Sequence, residues 1–316
     1  MPPFPKPRFA YNYDLPSEIK ALREYRTRQD RLIPDKDESH LLLATWNIAN
    51  LGLQERRDSD YQLLAEIIGW FDIVALQEVK DDLKGLRGIQ DHLPQYSVLF
   101  SDKAGNDERM TFIYDSRVLT LLEEVGEITV PDSELDDIAI PEVAQTFKGF
   151  DRNPYFASFE KAKFRFILAN AHLFFGSDTS KKDIQRRQLE AYAVGRWADM
   201  NAKSRSAYTP NILVMGDFNL PKAEPTDPIF KALTKRGLKL PEHSTKVYSN
   251  IRDDKNYDQI AFVPGMKSRI TDTKVFDFDG AIFKELYDSR GKEDFVGYLQ
   301  YYVSDHRILW AQVKIN

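Results

Sequence analysis

From residue 41 onward, short apolar runs alternate with stretches of helical spacing. LLLATWNI (41–48) and DIVALQEV (72–79) are nearly unbroken apolar runs of strand length, which predicts strands buried on both faces. Between them, residues 58–70 repeat apolar positions every three or four residues and predict a helix. YSVLFS, RMTFIYD, PYFASFE and KFRFILANAHL read as further strands, followed by a long charged helix over about 180–203. NILVMGDF (211–218) predicts a strand and 226–236 a helix, and YDQIAFV (257–263) and HRILWAQVKI (306–315) predict the last strands. Many strands with helices between them imply an α/β fold, expected as a four-layer sandwich of two packed mixed β-sheets flanked by helices.

Residues 1–40 break this pattern. They are proline-rich and then charged, and Ser17 after Pro16 predicts the cap of a helix running to about residue 30. Ile19, Leu22, Tyr25 and Leu32 give it only a thin apolar stripe. The expectation is an N-terminal helical extension, 1–40, lying on a single domain of 41–316. The acidic PDSELDDIAIPE (131–142) is expected to be an exposed loop.

Composition narrows the chemistry. There is no cysteine, which excludes disulfides, thiolate metal sites and a cysteine nucleophile. No signal-peptide-like run and no apolar stretch of about 18 residues occurs, so no membrane span is expected. The simplest expectation is a soluble cytoplasmic protein, with secretion by a route lacking a cleaved signal as the alternative. The net charge of −5 argues against nucleic-acid binding over the whole surface and leaves room for a local basic rim. Lys181, Lys182, Arg186 and Arg187 are candidates for such a rim, or simply a solvated helix face.

The polar exceptions to the apolar pattern fall in one recurrent place, the end of a strand. Asn47, Glu78, His172, Asp217 with Asn219, and Asp258 are read at C-terminal strand edges, and Asp305 with His306 opens the last strand. Singly, each has an ordinary reading as a turn, a cap or a solvent-facing group. Together they predict one pocket of hard oxygen ligands and two imidazoles, because strand ends line the ligand crevice of α/β sheets.

The ordered blocks TWNIANLG, LQEV, AHLFFGS, GDFN, YDQI and SDHR resemble the signature of the endonuclease/exonuclease/phosphatase superfamily over residues 41–315. Within it the similarity is greatest to deoxyribonuclease I. That resemblance implies a glutamate–histidine partnership of Glu108 with His172, and an Asp258 that orients His306. It also implies substrate contacts by Lys80, after LQEV, and by Arg152, in the segment RNP. Asn106 stands where deoxyribonuclease I carries an aromatic that packs in the DNA minor groove, and Ala49 replaces a basic residue.

The expected activity is metal-dependent hydrolysis of phosphodiesters, by a deoxyribonuclease I-like endonuclease acting on DNA, with RNA as a second nucleic-acid partner. Mg2+ suits hard oxygen donors, with Mn2+ or Ca2+ as alternatives; Glu78, Asn47 and Asp305 are its expected ligands. His172 and His306 fit general acid and base roles. A second scheme gives the base role to Asp217 and leaves His306 to stabilise the phosphoryl oxygens. Asn219 is expected to donate to a phosphate oxygen. The competing functions are a phosphoesterase acting on a lipid or small molecule and a non-catalytic binding module on the same fold.

Overall fold

The computed structural model describes residues 3–244 and 247–316. Along the chain lie α1 (Leu15–Arg26), β1 (His40–Leu51), α2 (Asp58–Ile68), β2 (Ile73–Lys80), α3 (Lys84–Gln90), β3 (Tyr96–Phe100), β4 (Glu108–Asp115) and β5 (Thr120–Glu127). Then follow β6 (Tyr155–Lys161), β7 (Phe164–His172), α4 (Lys181–Lys203), β8 (Ile212–Asp217), α5 (Pro228–Thr234), β9 (Asp258–Phe262), β10 (Ile270–Phe276), α6 (Lys284–Arg290), α7 (Lys292–Tyr302) and β11 (Ile308–Lys314). Six strands form one sheet in the order β10-β11-β1-β2-β4-β3, and five form the other in the order β5-β6-β7-β8-β9. Both are mixed, and helices cover their outer faces, which is the four-layer sandwich expected.

The two-period of the strand explains the unbroken apolar runs. In β1, Leu41 and Leu43 enter the core between the sheets, whereas Leu42, Ala44 and Trp46 enter a second core beneath the helices. Ile73 and Ala75 of β2 divide from Val74 and Leu76 in the same way. A strand covered on both sides has no solvent face to mark with polar residues. The edge strands show the converse. β5 (TLLEEVGE) and β10 (ITDTKVF) carry charge and no clean apolar run, and the hydrophobic pattern missed both.

The N-terminal helix departs from expectation at both ends. Asp14, not Ser17, caps it: Asp14 Oδ2 accepts from the Ser17 amide at 3.1 Å and from its hydroxyl at 2.6 Å. The helix stops at Arg26, short of residue 30. Leu22, Tyr25 and Ile33 are buried in the core beneath the helices, and Phe9, Tyr11 and Tyr13 pack against it. The acidic segment 131–142 is not a free loop either. A short 3-10 turn over Asp132–Asp137 carries its acids, two of which pair with Arg196 of α4, while Ile138 and Ile140 are buried in the hydrophobic core.

Candidate active site

β1 and β2 run parallel, as do β7 and β8, and β1 lies against β8 across the sandwich. Their C-terminal ends therefore meet at one edge, carrying Asn47, Glu78, His172 and Asp217. Asp258 reaches the same edge by the opposite route: it opens β9, antiparallel to β8, so the reading of a C-terminal position is corrected. Asp305 and His306 likewise precede β11, which runs antiparallel to β1. A polar residue at the edge thus belongs at the end of a strand running one way and at the start of a strand running the other.

Local backbone aims these side chains. The β1–β2 register slips between Asn47 and Leu51, and the β2–β4 register between Leu76 and Val79. Ala49, Asn50, Glu78 and Asn219 all take left-handed φ values, between 47° and 62°, a strain that persists only where surroundings enforce it. Gly216, at φ 142°, lets β8 come close to β7; a Cβ there would lie 1.8 Å from the Ala171 carbonyl oxygen. That approach seats Asp217 directly across from His172 in the strand register.

Asp217 Oδ2 is the hub. It accepts from Asn47 Nδ2 at 3.0 Å and lies 3.6 Å from His172 Nε2 and 3.8 Å from His306 Nε2. Each histidine turns its other nitrogen to a carboxylate: His172 Nδ1 is 3.2 Å from Glu108 Oε2, and His306 Nδ1 is 2.7 Å from Asp258 Oδ2. Glu78 accepts from Asn47 Nδ2 at 3.1 Å and from the Asn50 amide at 2.9 Å. Asp305 Oδ2 lies 4.0 Å from His306 Nε2. Asn219 donates one amide hydrogen to the Leu173 carbonyl at 2.8 Å, and its backbone amide reaches Asp217 Oδ1 at 2.8 Å.

Burial makes this electrostatics strong. Desolvation alone would raise the Asp217 pKa, but His306 and His172, with the amides of Asn47 and Asn219, hold it below the usual carboxylate range. Desolvation would lower His306, but Asp258, Asp305 and Asp217 raise it well above an ordinary imidazole. Glu108 is held down at about 2: burial is outweighed by His172, Arg152 and Lys80. Asp305 is pushed up to about 6 by burial and by the fields of Glu78 and Asp217, with His306 opposing. Several carboxylates thus repel one another in a pocket whose donors are hard oxygens, and a divalent cation fits such a set. Glu78, Asp305 and the Asn47 carboxamide would hold it. Asp217, Asp258 and His306 also bring ligand atoms within 4.8 Å of one another, an arrangement the sequence reading did not name as a metal set.

Three expected substrate-facing cations lie inside. Arg152 is only 2% exposed and donates to the carbonyls of His172 at 3.0 Å and Leu173 at 3.1 Å, so it stands behind His172 and not on the rim. Lys80 is turned to Glu108 Oε1 at 3.3 Å and the Asn106 carbonyl at 3.2 Å. Arg187 is fully buried and donates to the carbonyls of Asn219, Phe175 (2.6 Å) and Ser177 (3.1 Å), and to Asp178 (3.1 Å). Lys181 and Lys182 do remain exposed.

The sequence reading passed over Arg56. This buried arginine donates to the carbonyls of Ile48, Ala49, Tyr302 and Val303, tying the end of β1 to the segment that leads into Asp305. Trp46 Nε1 adds a bond to the His306 carbonyl at 2.8 Å.

No protein-family model and no curated protein sequence matches the chain. Solved structures do match over nearly its whole length. The human nocturnin catalytic domain, with a bound sulfate anion, is 16% identical and covers 90% of this chain and 96% of its own, at TM-score 0.59. TDP2 of D. rerio, complexed with a single-strand DNA product, is 14% identical and covers 87% and 99% respectively, at TM-score 0.56. A mannosyl-6-phosphatase of Bacteroides thetaiotaomicron is 17% identical over 86% and 99%, at TM-score 0.54. At such identities the likeness establishes the fold. An endonuclease/exonuclease/phosphatase family protein of the same bacterium is 16% identical over 89% and 99%, at TM-score 0.56.

Proposed function

We propose that this chain is a divalent-metal-dependent phosphoesterase of the endonuclease/exonuclease/phosphatase type, and that it hydrolyses phosphodiesters in nucleic acid. The observation that carries the reading is the convergence of both histidine Nε2 atoms on Asp217, each imidazole being held from behind by its own carboxylate. Proteins of this fold include one bound to a single-strand DNA product and a sugar phosphatase, so phosphoester chemistry is shared while substrate size varies.

A phosphodiester is anionic and gathers further charge on its phosphoryl oxygens in the transition state. Glu78, Asn47 and Asp305 would hold a divalent ion, which would neutralise part of that charge when bound. His306, kept protonated by its three acidic neighbours and tied at Nδ1 to Asp258, donates one hydrogen bond from Nε2 to a phosphoryl oxygen. Asp217, buried and ionised between the two imidazoles, accepts the proton of the attacking water as the P–O bond to the leaving oxygen breaks, and His172, whose Nε2 faces the same point, donates a proton to that oxygen. Asp258 and Glu108 fix which nitrogen of each ring faces the substrate. Asn219 directs its remaining amide hydrogen to a phosphoryl oxygen. This assignment favours the scheme with Asp217 as base over one in which His306 takes the proton, because the acidic neighbours of His306 keep its proton in place.

The substrate favoured is a single strand rather than duplex DNA. Lys80, Arg152 and Arg187 are withdrawn from the surface, which thins the cationic rim that a duplex backbone needs. The same withdrawal supports, as the second reading, a small phosphoester. A panel of supercoiled plasmid, single-stranded DNA, RNA, a phospholipid and a sugar phosphate, with Mg2+, Mn2+ or EDTA, separates these. We expect oligonucleotide cleavage that EDTA and Glu78→Ala both abolish. Cleavage undiminished in EDTA overturns the metal-dependent reading, and turnover of the sugar phosphate alone overturns the nuclease reading.

A further inference from the structure

α4 begins just beyond the loop that follows His172, and one turn of it holds two fully buried charges, Arg187 and Glu190. Arg187 has been placed above as a donor to loop carbonyls. Glu190 does the complementary work on amides. Its Oε2 accepts from the Phe174 amide at 2.8 Å, and its Oε1 accepts from the Asp151 amide at 3.1 Å. These two amides belong to different segments: Phe174 follows His172 by two residues, and Asp151 precedes Arg152.

The same two segments are joined a second time by Arg152, which donates to the carbonyls of His172 and Leu173. Arg152 also lies 3.7 Å from Glu108 Oε2, the atom that faces His172 Nδ1. A closed ring therefore runs from Glu190 through Phe174 to His172, across Arg152 to Asp151, and back to Glu190. We propose that Glu190 is a positioning residue of the active site: its single carboxylate clamps the two segments whose spacing sets where the His172 imidazole sits against Glu108 and Asp217. The proposal rests on the phosphoesterase reading for its kinetic consequence, whereas the clamp stands on geometry alone.

The choice of a charged residue is part of the device. A carboxylate offers each amide an ionised oxygen, and charge-assisted acceptors bind about twice as strongly as neutral ones. The groups facing it are few. Arg186 on its own helix lies 3.4 Å away, but also pairs with Asp151 Oδ1 at 2.8 Å, and the Asp151 carboxylate opposes ionisation of Glu190. Burial raises its pKa to about 7, so near neutral pH the clamp is partly protonated and grips one of its amides less well. Raising the pH charges it and tightens both segments.

The test uses the full chain and three variants, Glu190→Gln, Glu190→Ala and His172→Ala. Amide hydrogen exchange at Phe174 and Asp151 needs no substrate and probes the clamp by itself. We expect faster exchange at both amides in Glu190→Gln, with the fold retained. Metal-supported hydrolysis of bis(p-nitrophenyl) phosphate then reads the consequence. Glu190→Gln should lower kcat by about tenfold at pH 8 with KM little changed, because sub-ångström misplacement of a reacting group acts on turnover. The wild-type kcat should rise near pH 7, and Glu190→Gln should lose that rise. Unchanged exchange in Glu190→Gln and Glu190→Ala overturns the clamp. Altered exchange with wild-type kcat and an unaltered pH profile overturns its positioning role. No hydrolysis by the wild type, with exchange altered, overturns the phosphoesterase reading and leaves the clamp standing.

Discussion

Replacing Asp258 with asparagine exchanges one carboxylate oxygen for an amide group and tests the catalytic assignment most directly. Asp258 is fully buried, and its Oδ2 lies 2.7 Å from His306 Nδ1. The carboxylate does two things there. It accepts a hydrogen bond from Nδ1–H, which leaves Nε2 facing Asp217 and the substrate, and it supplies part of the negative field that keeps His306 charged. A hydrogen bond to a charged partner contributes about 1.5–3 kcal/mol, which at about 1.4 kcal/mol per decade is roughly 10- to 150-fold in rate. Asparagine also inverts the preference at Nδ1 when its amide group turns toward the ring: Nδ1 then accepts, and the imidazolium that carries a proton on both nitrogens is lost. The combined expectation is a kcat loss of about 10²–10⁴-fold. The His306 pKa should fall, because the removed charge favoured its protonated form. Steady-state hydrolysis of an oligonucleotide gives the first quantity, and NMR titration of the imidazole gives the second. A loss below about fivefold, with His306 titrating as in the wild type, would refute the view that Asp258 orients and charges that ring.

Three further outcomes follow from the packing. Gly216→Ala should be destabilising by about 3–5 kcal/mol in urea unfolding, since the added Cβ would collide with the Ala171 carbonyl oxygen at 1.8 Å in a left-handed backbone; activity should fall with it. Arg187→Met should cost about 3–5 kcal/mol, because it strands the buried Asn219 carbonyl, frees those of Phe175 and Ser177 and leaves Asp178 with only Lys255 and Tyr257, and hydrogen exchange should rise in the loops around 175 and 219. Glu190 links stability to pH with a definite sign. The unfolded chain releases this proton near 4.5 and the folded chain near 7, so over that window the folded state binds more protons and stability falls as pH rises. The loss is about 3 kcal/mol in full above pH 7, and Glu190→Gln should flatten that part of the curve in unfolding measured at pH 5 and pH 8.

The amino-acid sequence by itself determined the central strands and the residues that gather at their ends. LLLATWNI and DIVALQEV read as strands because both of their faces are covered, and coverage leaves a local signature of unbroken apolar residues. Asn47, Glu78, His172, Asp217 and His306 stood out because a polar group at the end of such a run is a local contrast. What tertiary structure alone decided is which charges face water. Arg187 and Lys181 sit in one charged helical stretch, yet Arg187 is buried and Lys181 is exposed, because only Arg187 meets the carbonyls of the Asn219 turn, 32 residues away. Arg152 and Lys80 likewise turn inward because His172 and Glu108 are brought to them from other strands. Asp258 showed its residue type but not its direction, which depends on β9 running antiparallel to β8. Burial of a charge is set by partners distant in sequence, and the hydrophobic pattern records only a residue's own solvation.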